Sequence, residues 1–317
     1  MGPYPSFRGI VPAMAVPFRT DYSIDEDELR RLAQWLAGHP GIGGLVTNGH
    51  TGEVFSLRPE ERARVTRVVG DAVGGRLPVI SGVCAESPAE AADHAVAAKE
   101  AGAVGLLVMP AHHWLRFGME PEHVIEHFTR VGEAAQVSLV VHVYPAWTKA
   151  NYPPSLLAEL VRLPWVTAVK IGTREMSQYD RDLRAIREAD PDCSILTCHD
   201  EYLLPTMVQG VDGALVGFAS FIPEMIVELY EAVCDGDLKR ARQIHFRIYP
   251  LKEAVYGRDE PSGAAHARLK TAMWLSGRLN SNRMRPPIRP PRGEALERIA
   301  GALRAAGLLQ KAPEAGT

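Results

Sequence analysis

The chain is poor in cysteine, with 4 in 317 residues, at positions 84, 193, 198 and 234. So sparse a set is no disulfide framework, and no CxxC pair offers a zinc site. It also lacks an excess charge of either sign. Lys+Arg 35 against Asp+Glu 38 leaves a net charge of -3, too balanced for a nucleic-acid-binding surface or a polybasic membrane patch. No uncharged apolar run is long enough to span a bilayer. The start, MGPYPSFRGI, has no apolar segment behind a basic one, so no signal peptide is expected. Low-complexity sequence is absent except in KAPEAGT, a tail expected to fray. The default expectation is then a cytoplasmic enzyme; the composition is ordinary, 46% hydrophobic and 23% charged, and the chain is long enough to bury a large core.

What is present is alternation. Apolar runs at 10–17, 42–47, 77–83, 104–109, 137–144, 166–171, 194–198 and 213–218 are rich in Val, Ile, Leu and Ala on both faces, as strands of a parallel sheet covered on both sides must be. Helix-start signals separate them. Asp25 precedes EDELRRLAQWLAG, Ser56 and Pro59 precede acids, Ser87 has Glu90 three residues on as in a capping box, and Pro153-Pro154-Ser155 opens another helix. Eight such units in about 235 residues predict an α/β fold of the (β/α)₈ TIM-barrel type over 1–235. No Gly-x-Gly-x-x-Gly turn follows the first run, which argues against a doubly wound dinucleotide fold. Beyond it the pattern predicts a C-terminal helical extension over 236–309, with helices near 238–256, 264–275 and 293–306, then a tail at 310–317. The Pro-rich stretch 285–291 reads as an extended surface connector.

In such a barrel the chemistry sits at the C-terminal strand ends. Lys170 lies inside the apolar run Val166-Thr167-Ala168-Val169-Lys170-Ile171, where burial of an ammonium is costly and favours a neutral, nucleophilic amine. A lysine snorkelling from the strand end, or one paired with Glu53, is the structural alternative. The turn Gly49-His50-Thr51-Gly52 after the second run could gather N–H groups and a hydroxyl on a carboxylate, or be only a glycine-permitted turn.

The turn 49–53 with Phe55-Ser56-Leu57 and Pro59-Glu60-Glu61 behind it, the strand ending at Pro145, and Val169-Lys170 placed 28 residues after His142 resemble the dihydrodipicolinate synthase / N-acetylneuraminate lyase family. The resemblance runs over about 7–309. It implies a (β/α)₈ barrel with a helical extension, assembled as a homo-oligomer (a dimer or tetramer), and a lyase that needs no cofactor. Lys170 would form a Schiff base with a 2-oxo acid, usually pyruvate, that gains or loses an aldehyde partner. Gly49 and Thr51 would hold the carboxylate, and Leu215 would pack its backbone near the keto acid.

Four departures bear on substrate. The family's strand-5 tyrosine is His142 here, a residue expected to titrate near neutrality, with Tyr144 two residues on as the other proton carrier. The synthase branch's arginine is Trp147, so a bidentate carboxylate clamp is missing at that position. With Val143 and Ala146, the indole predicts an aldehyde with an apolar or aromatic distal group. His50 replaces the first of two tandem hydroxyls, and His112 stands where the synthase branch has a tyrosine. Sugar-acid lyases and dehydratases of the same family are the nearest alternative reading. A non-catalytic 2-oxo acid binder and a zinc hydrolase built on His112, His142, His199 and Asp200 are the others.

Overall fold

The computed structural model describes residues 4–145, 147–257 and 263–312. Ala146 and the tail residues 313–317 lie outside that set. Strands and helices alternate as β1 (Gly9–Pro12), α1 (Glu26–Ala37), β2 (Leu45–Thr47), α2 (Pro59–Val73), β3 (Val79–Val83), α3 (Pro88–Glu100) and β4 (Gly105–Val108). Next come α4 (His112–Phe117), α5 (Pro121–Ala135), β5 (Ser138–Val143), α6 (Pro154–Leu160), β6 (Val166–Ile171) and α7 (Met176–Ala189). The barrel ends with β7 (Ser194–Thr197), α8 (Leu203–Met207), β8 (Gly213–Val216) and α9 (Pro223–Cys234), followed by α10 (Leu238–Val255), α11 (Gly263–Leu275) and α12 (Gly293–Ala305). The sheet is parallel in the order β1-β8-β7-β6-β5-β4-β3-β2. Parallel bridges at Ile10–Ile42 and Ala13–Val46 bring β1 back to β2 and close a TIM barrel.

The start signals act largely as their chemistry requires. Asp25 accepts the Glu28 N–H at 3.2 Å, and Ser87 accepts the Glu90 N–H at 3.2 Å. The reciprocal half of the expected capping box is displaced, because the Glu90 carboxylate takes the Glu86 N–H at 3.4 Å rather than that of Ser87. The first strand is shorter than the run 10–17 suggests. After Pro12 the chain divides its bonds, with Ala13 N–H donating to Val216 and Met14 N–H to Val46, so 13–17 is buried without belonging to one ladder. In the extension, α10 packs on α9, and α12 packs on both α10 and α11. The connector 285–291 has no helix or strand. Among the described residues no helix is long and apolar enough to cross a membrane.

Two histidines are built into the framework as neutral groups. His127 lies between the Trp114 and Phe128 rings, and its burial holds it down at about 4. His199 Nε2 donates to the Thr173 carbonyl over 2.7 Å, and its burial, helped by Arg174, holds it down at about 3. Unfolded imidazoles bind protons below about 6.5, so the stability these two supply is complete above that pH and is lost as the pH falls toward 4 and then 3. The urea midpoint is therefore expected to drop between pH 6.5 and 4, and His127→Phe to make that drop shallower; an unchanged pH profile in the variant would contradict this account.

Candidate active site

Val11, Val46, Ile80, Leu107, Val140, Ala168, Leu196 and Leu215 fill the barrel axis with one side chain from each strand. Side chains alternate along a strand, so the next inward position is two residues on. On six strands that position is Ala13, Met109, His142, Lys170, Cys198 or Gly217, and all six line one cavity of about 350 Å³ at the C-terminal mouth. Pairing sets Lys170 beside His142 on β5 and Leu196 on β7. The inward lysine is thus a product of strand parity and register.

Lys170 is partly buried. Among the described residues it makes no hydrogen bond or ion pair. Burial lowers its pKa, while Cys198 and Asp200 pull it partway back. The suggested Glu53 partner belongs to another lysine: Lys270 of α11 reaches Glu53 at 2.6 Å, with the two side chains 2% and 3% exposed. Lys270 also donates to the Arg283 carbonyl at 2.8 Å, and the second Glu53 oxygen accepts the Arg285 N–H at 3.0 Å. The turn 49–53 is therefore moored to the extension.

That turn forms for a reason different from the one its glycines suggested. Positive φ falls on Asn48 (56°) and Glu53 (57°), not on Gly49 or Gly52. Gly52 is needed for close approach, since a Cβ there would stand 3.0 Å from the Met14 carbonyl. Gly217 serves the same purpose on β8, where a Cβ would meet Thr51 Oγ1 at 3.2 Å and Asp200 Oδ2 at 3.3 Å. Gly49, His50, Thr51 and Leu215 all line the cavity.

Three aromatic groups form its wall. Tyr144 Oη and His50 Nε2 are hydrogen-bonded at 3.0 Å, and the His142 ring stands edge-on to Tyr144 at 4.9 Å. His142 Nδ1 is buried without a hydrogen-bond partner. The expected near-neutral titration of His142 is not what this environment gives. Burial, then the nearby Lys170 charge, hold His142 well below the ordinary histidine value, and burial with His266 and Lys170 does the same to His50. Burial pushes the Tyr144 phenol well above 10. All three are neutral at pH 7.

His112 is not on the cavity lining. It sits behind it, edge-on to Phe55 at 4.6 Å and 3.6 Å from the Glu86 carboxylate. Trp147 does line the cavity and is 55% exposed, but it is no purely apolar wall. The Arg174 guanidinium lies over its ring at 5.7 Å and pairs with Glu201 at 2.7 Å. A guanidinium thus enters from the loop after β6 instead of the one after β5; its place four residues past Lys170 was the available signal. The zinc alternative finds no convergence: among the described residues no three His, Cys, Asp or Glu are grouped to hold a metal. His199 is bonded to Thr173. Asp200 accepts from Gly217 N–H at 3.1 Å, Phe218 N–H at 2.9 Å and the Tyr256 hydroxyl at 2.6 Å; its burial still pushes it up to about 6. Tyr256 and His266, both from the extension, complete the lining, and no local motif announced either.

The chain matches the model of the dihydrodipicolinate synthetase family over residues 6–306. It is 32% identical over 304 residues to a DapA-like lyase of Thermofilum pendens, covering 95% of this chain and 98% of that one. It is also 32% identical over 311 residues to 4-hydroxy-tetrahydrodipicolinate synthase of Methanopyrus kandleri, covering 97% and 98%. Among solved structures it resembles YagE, a prophage protein of E. coli K12 determined in complex with pyruvate, with a TM-score of 0.85, 26% identity, and coverage of 95% and 99%.

Proposed function

The chain belongs to the dihydrodipicolinate synthetase family, and from that premise we propose how it works as a lyase of the Schiff-base class, acting on pyruvate or a longer 2-oxo acid and an aldehyde. The observation that carries this reading is the Lys170 amine, unpaired among the described residues and with a lowered pKa in the cavity. A buried amine without a partner is costly to keep for structure alone; as a nucleophile it has a use.

Lys170 Nζ adds to the ketone carbon, and the carbinolamine loses water to leave a protonated imine. Thr51, whose hydroxyl is unengaged among the described residues, holds the carboxylate with the N–H groups of its turn. His142, which lines the cavity, meets the ketone oxygen, and Tyr144, oriented by His50, moves the second proton. Trp147 gives an aromatic distal group a flat face. The Arg174–Glu201 pair on the same wall favours a second reading, a hydroxylated sugar-acid substrate, because it offers donors and an acceptor together. We read the barrel (1–235) and the extension (236–309) as one working unit, in a homo-oligomer.

Exchange of the pyruvate methyl protons in D₂O, followed by NMR, reports imine and enamine formation without any aldehyde. The protein should catalyse it, His142→Phe should slow it roughly 10²-fold or more, and Tyr144→Phe should slow it less. A protein that catalyses no exchange would overturn the Schiff-base reading. The reverse order of the two variants would transfer the first proton to Tyr144.

A further inference from the structure

The proton chemistry above uses groups that rise from the strand ends or the β2 turn. His266 is different. It comes from α11, outside the barrel, yet lines the cavity. Its ring centroid stands 6.3 Å from that of His50, and the two differ in one respect. His50 is committed to Tyr144, whereas His266 makes no hydrogen bond among the described residues. It is partly exposed to the cavity rather than packed away. An imidazole at the mouth whose ring nitrogens have no partner among the described residues is ready to meet a hydroxyl carried by the substrate.

Resting on the Schiff-base reading, we propose that His266 is a catalytic residue for the carbon–carbon step, the base that takes the proton of the hydroxyl on C4 of a 4-hydroxy-2-oxo acid. The division of labour follows from where each side chain originates. Lys170 and His142 pair across adjacent strands and serve the carbonyl end, C1 to C3. A group reaching in from the extension meets the atoms farther from the lysine. In the cleavage direction, His266 removes the C4 hydroxyl proton and the C3–C4 bond breaks. Its electron pair becomes the C2–C3 double bond of the enamine, as the protonated imine nitrogen takes back the pair of the C=N bond. The aldehyde leaves. C3 takes its proton from the groups at the carbonyl end, through Tyr144, which regenerates the imine of pyruvate for hydrolysis by water, and the imidazolium gives its own proton up to water. Burial and the Lys170 charge hold His266 down at about 4, so at neutral pH it is in the basic form that the step requires.

The test compares two reactions in the protein and in His266→Gln and His266→Phe. Cleavage is measured with 4-hydroxy-2-oxo acids bearing phenyl, methyl or hydroxymethyl at C4, using the best-cleaved one. Methyl-proton exchange of pyruvate in D₂O is measured alongside. The expected result is a fall in kcat for cleavage of about 10²-fold or more, with KM within a few-fold and pyruvate exchange kept. Cleavage within threefold of the parent would overturn the assignment. So would an equal fall of exchange and cleavage, which would mark a role at the imine or in the fold. Exchange by the parent without cleavage of any of these acids would overturn it too. A parent with neither reaction would instead overturn the Schiff-base reading on which it rests.

Discussion

Lys170→Ala is expected to lose turnover on the order of 10⁶-fold, the scale reached when a covalent nucleophile is removed, while remaining at least as stable as the parent. The two halves have one cause. The amine sits in an apolar strand and, among the described residues, makes no hydrogen bond or ion pair to offset its desolvation, so its removal relieves the fold and disables the chemistry. Treatment with pyruvate and borohydride, followed by peptide mapping, should leave an irreversible adduct on the peptide carrying Lys170 and none in the variant. Because burial lowers the Lys170 pKa, the rate of trapping should rise with pH and level off below lysine's usual 10.5. An adduct on a different lysine, or a variant that still traps pyruvate, would remove Lys170 from the mechanism.

Lys270→Met is expected to be the most destabilising of the single changes considered, by about 3–5 kcal/mol, because it strands a buried carboxylate. Glu53 is left with one N–H donor, from Arg285, in place of an ammonium at 2.6 Å. The Arg283 carbonyl loses its donor at the same time. Since Glu53 ends the turn that carries Thr51, the surviving folded protein should also bind pyruvate more weakly. Urea unfolding measures the first effect and the KM for pyruvate the second. Lys270→Met combined with Glu53→Leu, which removes both charges, should recover much of the lost stability. A loss below about 1 kcal/mol in the single variant would mean that the turn holds itself.

How far the sequence reveals this molecule depends on whether a signal is local. The run 166–171 coincides with β6 because its Val, Ala and Ile positions are laddered on both edges, by β5 and β7. The run at 10–17 over-reads β1, since burial continues where single-ladder pairing stops. Lys170, His142, Tyr144, His50 and Thr51 were legible because strand ends concentrate chemistry in a barrel. Tyr256, His266 and Lys270 were not. On α11 the buried set runs through Ala265, Ala267, Leu269, Lys270, Thr271 and Ala272, nearly all round the helix. No polar stripe indicates which side meets the barrel. Nor does anything near Glu53 point to a cation 217 residues away. His112 illustrates the opposite error, a residue placed by analogy that the local packing turns toward Phe55 and Glu86.

The closure of the barrel sets a timetable for its birth. Gly9 of β1 pairs with Gly213 of β8, so the first strand to leave the ribosome waits for the last before its ladder is complete. At about 5–20 residues per second, some 200 residues of synthesis take on the order of 10–40 s. For that interval a strand buried in the finished protein has an open edge, and open edges recruit other chains. A nascent chain of this design must be escorted, or must fold provisionally against its own early strands; ribosome-stalled lengths that end on either side of β8 should therefore differ sharply in protease resistance.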